Sequence, residues 1–276
     1  MQQKQYGDNF LHCLTYLFLI SILKIEIFIN IKIKNMKTTF FLKSILTYIL
    51  FWFFYFLYIY LFKIRNQIEI IGKENLPKRA NGILSLSNHQ SFIDSLPIRA
   101  AMINFWDMFF HQSLITFDAP DSVNFYTNKI GAFFIRHLRN ISVKRNTGDR
   151  KVKNEFVDQC CKTLEKNNLH LFFEGGRTID EIRPCVSGVA EIILNLLEEK
   201  FNLIIIPIFI NGMQNIMPRE IGQKYFKISC GHKVKIIIGK PIDFSEIIEK
   251  DFSRQKKINL IKKRVRGFVL ALKHLS

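Results

Sequence analysis

Ile83-Leu84-Ser85-Leu86-Ser87-Asn88-His89-Gln90-Ser91-Phe92-Ile93-Asp94 joins two kinds of structure in one short stretch. Its first five residues form an apolar run of the length of a buried strand. His89 then emerges at the strand's end, where a fixed scaffold presents functional loops. Five helical steps rotate about 500°, about 140° away from a shared face. His89 and Asp94 therefore meet only if the histidine precedes a helix and the aspartate stands in its first turn. The expectation is a strand-to-helix junction that holds an imidazole–carboxylate pair. Alone the pair is a weak signal, because seven histidines and ten aspartates in 276 residues give about a quarter of one such spacing by chance. The bland reading is a helix-start histidine beside a solvated aspartate, and the rest of the chain has to displace it.

Outward from this stretch the pattern alternates strands with helices. Gln67 to Gly72 reads as an edge strand, followed by a turn at Asn75-Leu76-Pro77. Residues 92–104 have helical spacing, and 105–140 mix aromatic helix with loop. Asp149 to Lys166 is an amphipathic helix with Val152, Phe156, Cys160 and Leu164 on one face. Leu169 to Phe173 is a strand, Val186 to Leu197 a helix, and Val234 to Ile238 a last strand. Leu203 to Ile210 is so apolar that it belongs at the centre of a sheet. This alternation predicts an α/β domain with a mainly parallel sheet covered by flanking helices.

Ser44 to Phe62 holds no charge over 19 positions, bracketed by Lys43 and by Lys63 and Arg65. As a helix it would extend about 28 Å, close to a hydrocarbon core of about 30 Å. Trp52, Tyr55, Tyr58 and Tyr60 suit a membrane interface. The expectation is an N-terminal membrane anchor helix, in a single-pass or two-pass protein whose globular part sits at the membrane surface. The first 35 residues read as a signal peptide, a second membrane helix or an interfacial segment, and Met36 offers an alternative start. Three regions follow: 1–63 hydrophobic, 64–250 catalytic, and 251–276 a basic amphipathic helix. That last helix reads either as a surface helix with a core-facing stripe or as a membrane-surface element.

The formal net charge of +17 favours an anionic partner such as phospholipid or a phosphate-bearing substrate. Charge is the one feature pointing to nucleic acid, and no recognisable nucleic-acid module accompanies it. Five scattered cysteines, with no C-x-x-C pair, argue against a disulfide framework. No His or Cys cluster has zinc-ligand spacing, so no metal site is expected. Gly72-Lys73 and Gly239-Lys240 lack the Ser or Thr of a Walker loop, and no G-x-S-x-G elbow exists. His111, His137, His170 and His232 have no partner pattern and read as structural.

A second cluster, Phe172-Phe173-Glu174-Gly175-Gly176-Arg177-Thr178, follows a strand. Paired glycines let backbone N–H groups approach a ligand, and Arg177 can grip phosphate with its planar fork. A structural ion pair between Glu174 and an arginine is the plainer alternative. A third run is Ile205-Ile206-Pro207-Ile208. Together with Asn88 to Asp94, and in this order, these blocks resemble the glycerolipid acyltransferase family, which includes lysophosphatidic acid and glycerol-3-phosphate acyltransferases. The flanks 70–77 and 234–241 agree, so the resemblance covers about residues 66–245. Phe173 stands where many members have Pro, and Gly176 where many have Thr. The remaining block ends in an arginine that holds the acceptor's phosphate. Gly131 to Arg136 resembles the glycerol-3-phosphate version, and Ile141 to Arg145 the lysophosphatidic acid version. Arg145 is favoured, because one helix and one strand then precede Glu174. Gly212-Met213 through Met217-Pro218 also resembles the tafazzin branch, which moves acyl chains between phospholipids.

The resemblance implies acyl transfer from acyl-CoA or acyl-carrier protein to a lysophospholipid, foremost 1-acylglycerol-3-phosphate. The thioester is already activated, so no cofactor is expected beyond that co-substrate. His89 would be the general base and Asp94 would fix its tautomer. Arg145 or Arg136, with Arg177, would hold phosphate. Glu174, Gly175 and Gly176 would shape the pocket, and Pro207 would line the acyl side. Ser91 as a nucleophile is disfavoured, since the resemblance implies direct transfer. The rival from another class is a non-catalytic lipid-binding protein, against which the intact His89/Asp94 pair counts.

Overall fold

The computed structural model describes residues 36–121, 132, 137–144, 148–178, 181–217 and 228–275, with side chains from residue 45 onward except those of Phe109 and Gln112. Arg136, Arg145 and the first 35 residues lie outside the described residues. Strands β1 (Gln67–Ile71), β2 (Ile83–Ser87), β3 (Leu169–Phe172), β4 (Ile204–Asn211) and β5 (Lys233–Ile238) form one sheet in the order β1-β5-β4-β2-β3. Three of the four neighbour pairs are parallel, and β4 with β5 is the antiparallel seam. The sheet is thus mainly parallel, with β1 and β5 running against the other three.

Burial follows position. All five residues of β2 are buried, as are the inner six of β4, whereas β1 alternates exposed with half-buried positions. A central strand covered on both faces needs apolar residues throughout, while an edge strand does not. Strand alternation then sends neighbouring residues to opposite layers. Leu84, Leu86, Leu169, Leu171, Ile205 and Phe209 pack under α4 (Arg150–Leu164), α5 (Ser187–Glu198), α7 (Ser245–Glu249) and α8 (Arg254–Lys273). Ile83, Ile206, Ile208, Ile210 and Ile236 pack on the other face, under α2 (Ser95–Met102) and α6 (Met213–Ile216).

The apolar N-terminal segment forms α1 (Met36–Tyr58), which continues as a wider π-helical stretch over Ile59–Ile64. Ile45–Ile64 is long and apolar enough to cross a membrane, with mean hydropathy 2.0. Its last part is nevertheless domain core: Tyr58, Leu61 and Phe62 are buried in the cluster with Ile206 and Ile208. The expected boundary at 63/64 is therefore bridged by packing. The boundary expected at 250/251 is bridged as well. Ile258, Ile261, Val265 and Val269 of α8 are buried against α5 and β4, which favours the surface helix with a core-facing stripe. In α4 the buried seam is Val157, Cys160 and Leu164, with Val152 and Phe156 half-buried. The four described cysteines are free thiols.

Candidate active site

His89 leaves the C-terminal end of β2, and Asp94 takes the position just before α2. An aspartate there ordinarily caps its own helix by accepting from the first-turn amides. Asp94 makes no such cap. Its carboxylate turns back into the connecting loop, fully buried, with Oδ2 2.9 Å from His89 Nδ1. The same oxygen accepts from the backbone N–H groups of Gln90 and Ser91, and Oδ1 accepts from Ser91 Oγ. A carboxylate with that many donors is fixed in place, so His89 Nδ1 carries its proton toward Asp94 and Nε2 keeps its lone pair.

The remaining loop residues fasten this turn to the sheet. Asn88 exchanges two hydrogen bonds with the backbone of Ile210 on β4, at 2.9 and 2.8 Å. Gln90 Oε1 accepts from the N–H of Met213, at the start of α6. Phe172, the last residue of β3, stacks flat on the His89 ring at 3.7 Å and 13°. An aromatic face against an imidazole holds the ring in one orientation. On its other side Phe172 meets His170 edge-on at 4.8 Å. His170 is buried between Ser85 Oγ and Ser87 Oγ, and burial pushes its pKa down to about 3.

The second cluster is joined directly to the first. Glu174 Oε1 accepts from the His89 N–H at 3.1 Å, and Oε2 accepts from Thr178 Oγ1 and the Arg183 N–H. Thr178 N–H in turn donates to the His89 carbonyl at 2.7 Å. Glu174 is therefore a cross-link between the two motifs. Gly175 has φ +69°, and a Cβ there would stand 2.8 Å from Val186 Cγ1. Gly176 has ordinary clearance, 3.9 Å to Arg183. The Arg177 guanidinium lies over the Phe92 ring at 3.5 Å. Phe173 is buried on the α5 face, and its N–H donates to the Ser87 carbonyl, a bond that Pro could not make.

A cavity of about 650 Å³ opens beside His89, within the usual range of ligand pockets. Phe51 and Tyr55 of α1, Leu96, Ile103 and Met108 belong to its apolar lining, and His89, Arg99, Asp118, Arg177 and Arg183 to its polar lining. Pro207 is not among the lining residues. It points with Ile205 and Phe209 to the α8 side of the sheet, its ring against Gly239, so strand parity puts it on the face away from the cavity. The segment that leads to Arg145 is described through Lys144. Its Asn140 and Val143 bridge to Asp118 and Asp121, beside β3.

Sequence reasoning missed Arg99 and Asp118. Arg99 Nε lies 2.6 Å from Asp118 Oδ2, and its terminal nitrogens donate to the carbonyls of Leu138 and Arg139 and to Asn140 Oδ1. Burial pushes the Asp118 carboxyl up, against the pull of Arg99. This cation ties the wall formed by residues 138–140 to the helix that follows Asp94. A lone arginine within the apolar helix Ser95–Met102 was the available signal. Phe172 could have been found by parity, as the strand residue two places from His170 on the same face.

A family model described as Acyltransferase matches residues 67–211, more than half of the chain. No curated protein matches the sequence. Among solved structures, the crystal structure of the 1-acyl-sn-glycerophosphate (LPA) acyltransferase, PlsC, from Thermotoga maritima is similar, with a TM-score of 0.55 at 18% identity over 95% of this chain and 92% of that chain. Likeness at that identity is likeness of fold.

Proposed function

The chain belongs to the acyltransferase family, and we propose that it carries a fatty acyl group from acyl-CoA or acyl-carrier protein to the hydroxyl of a lysophospholipid. The acceptor in this reading is 1-acylglycerol-3-phosphate, and the product phosphatidic acid. The observation that carries it is the buried Asp94–His89 pair beside a largely apolar cavity whose lining includes Arg177 and Arg183. A base, a place for an apolar chain and cations for a phosphate thus adjoin one another.

His89 Nε2 takes the proton of the acceptor hydroxyl as its oxygen attacks the thioester carbonyl carbon. Asp94 stabilises the imidazolium that forms. Collapse of the tetrahedral adduct breaks the C–S bond, and the imidazolium returns its proton to the departing thiolate. General-base catalysis of this kind contributes about 10²–10⁴ in rate. No metal or redox group has a step to perform. α1 would hold the domain at a bilayer, where both substrates partition.

The test is acyl transfer by detergent-solubilised protein to glycerol-3-phosphate, lysophosphatidate and other lysophospholipids, with acyl-CoA, acyl-carrier protein or phospholipid as donor. His89→Ala should abolish product while leaving the thermal unfolding midpoint within a few degrees. Near-normal turnover in that variant would remove the mechanism. A different preferred acceptor, or a phospholipid donor, would move the protein to the glycerol-3-phosphate or transacylase branch.

A further inference from the structure

α3 (Phe105–Phe110) is a short helix of 6 residues with three distinct sides. Met108 points inward, buried with Phe51, Ile103 and Ile115, and lines the cavity. Asn104 caps the helix by accepting from the Asp107 N–H, and the Asp107 carboxylate pairs with Arg79 at 3.0 Å. Trp106 and Phe110, one helical turn apart, share the remaining side, and each is 66% exposed. Two large aromatic rings presented together to solvent cost free energy unless something apolar covers them.

The ring contacts show what they are continuous with. Phe105 meets Trp52 edge-on at 4.7 Å and Tyr55 at 5.3 Å, both on α1. Trp52 in turn touches Phe56, which is 58% exposed. An aromatic band therefore runs from the apolar helix across to α3. Lys78 stands exposed in the loop that flanks α3, beside Arg79 whose charge Asp107 offsets, so the band has a cationic border at Lys78. Tryptophan at a boundary between apolar surface and basic residues is the composition of a membrane–water interface.

We propose that the Trp106–Phe110 face of α3 is a second lipid-contacting surface, which seats beside α1 in the headgroup region of an anionic phospholipid bilayer. The proposal deepens the acyltransferase reading: α1 and α3 wall the apolar part of the cavity, so the same contact holds that cavity against the lipid from which substrate comes. A second copy of the chain is the rival occupant, but continuity with the apolar helix and the cationic border favour lipid.

The chain holds two tryptophans, Trp52 and Trp106, and both belong to this band. Full-length Trp52→Phe protein therefore reports on Trp106 alone. In vesicles of phosphatidylglycerol and phosphatidylcholine with brominated acyl chains, Trp106 emission should fall by about half or more relative to unbrominated vesicles. Unchanged emission from protein shown to float with the vesicles would overturn the proposal. So would burial of Trp106 that grows with protein concentration in detergent, the mark of a dimer. A second arm uses Trp106→Ser/Phe110→Ser. Transfer to acceptor embedded in vesicles should fall about tenfold while transfer in mixed micelles is unchanged; equal losses in both would overturn the lipid role. Quenching needs no turnover, so a failed acyltransferase assay and a failed membrane contact remain distinguishable.

Discussion

Asp94 departs from the usual behaviour of its position, giving up a helix cap worth about 1 kcal/mol to hold His89. A local rule broken at this one place is what a functional residue does. Its neighbours compensate: Ser91 and the two loop amides satisfy the buried carboxylate, and Phe172 fixes the ring it orients. His170 illustrates a different cost. Its pKa is lowered to about 3, first by burial, then by Arg99 and His89. A histidine depressed in the folded state leaves stability intact above its unfolded value near pH 6.5. Stability then falls with pH, because the unfolded chain takes up a proton that the folded one refuses. The loss should approach about 1.4 kcal/mol per pH unit below that value. Urea unfolding of the detergent-solubilised protein at pH 7.5 and 5.0 should therefore show a drop on the order of 2 kcal/mol. His170→Gln should lose that part of the slope, even if its stability at pH 7.5 is lower.

The turn after β3 shows how two adjacent glycines differ. Gly175 combines a left-handed backbone with a Cβ direction already filled by Val186, while Gly176 has room. Gly175→Ala should cost about 1–3 kcal/mol, and Gly176→Thr should stay within about 0.5 kcal/mol, both measured as shifts in unfolding midpoint. An equal cost at the two positions would mean that the turn relaxes around an added methyl. The resemblance drawn from the sequence noted Thr at the second position in many relatives, and the clearance supplies a physical reason. Phe173 in place of Pro is explained at the same level, since its amide closes a hydrogen bond to β2. α8 is the counterpart among the helices. Its buried stripe is Ile258, Ile261, Val265 and Val269, Leu260 and Leu272 are half-buried against it, and Phe268 is 42% exposed.

Across the protein, the sheet divides two layers with different tasks. The α4–α5–α7–α8 side holds the larger apolar core, and the α1–α2–α6 side carries the cavity beside His89. The C-terminal end of the apolar helix belongs to that second side. Phe62 is wholly buried, so Phe62→Ala should destabilise the catalytic domain by about 3–5 kcal/mol, as a core truncation does. A change below about 0.5 kcal/mol would show that the helix hangs from the domain as a separable anchor. The same packing places the α3 contact at Trp52 and Tyr55, partway along Ile45–Ile64. A window chosen by hydropathy alone therefore spans both lipid-compatible surface and domain core.

Order of elements, the strand-to-helix turn at His89 and the two polar clusters could be read along the chain, because periodicity and turn chemistry are local properties of neighbouring residues. Central burial of Leu203 to Ile210 was legible for the same reason: an uninterrupted apolar run suits only a doubly covered strand. Partnership across the sheet was not. Glu174 reaches the His89 amide, and Asn88 reaches Ile210, only because β2 lies between β3 and β4, and no local pattern encodes that order. Pro207 was assigned to the acyl side because its apolar neighbours suggested it, and strand parity within the assembled sheet turns it to the opposite layer. Which apolar side chains become core, which line a cavity and which face outward is set when non-local layers meet. A residue's own periodicity limits it to a face, and only the packing partner on that face decides what it does.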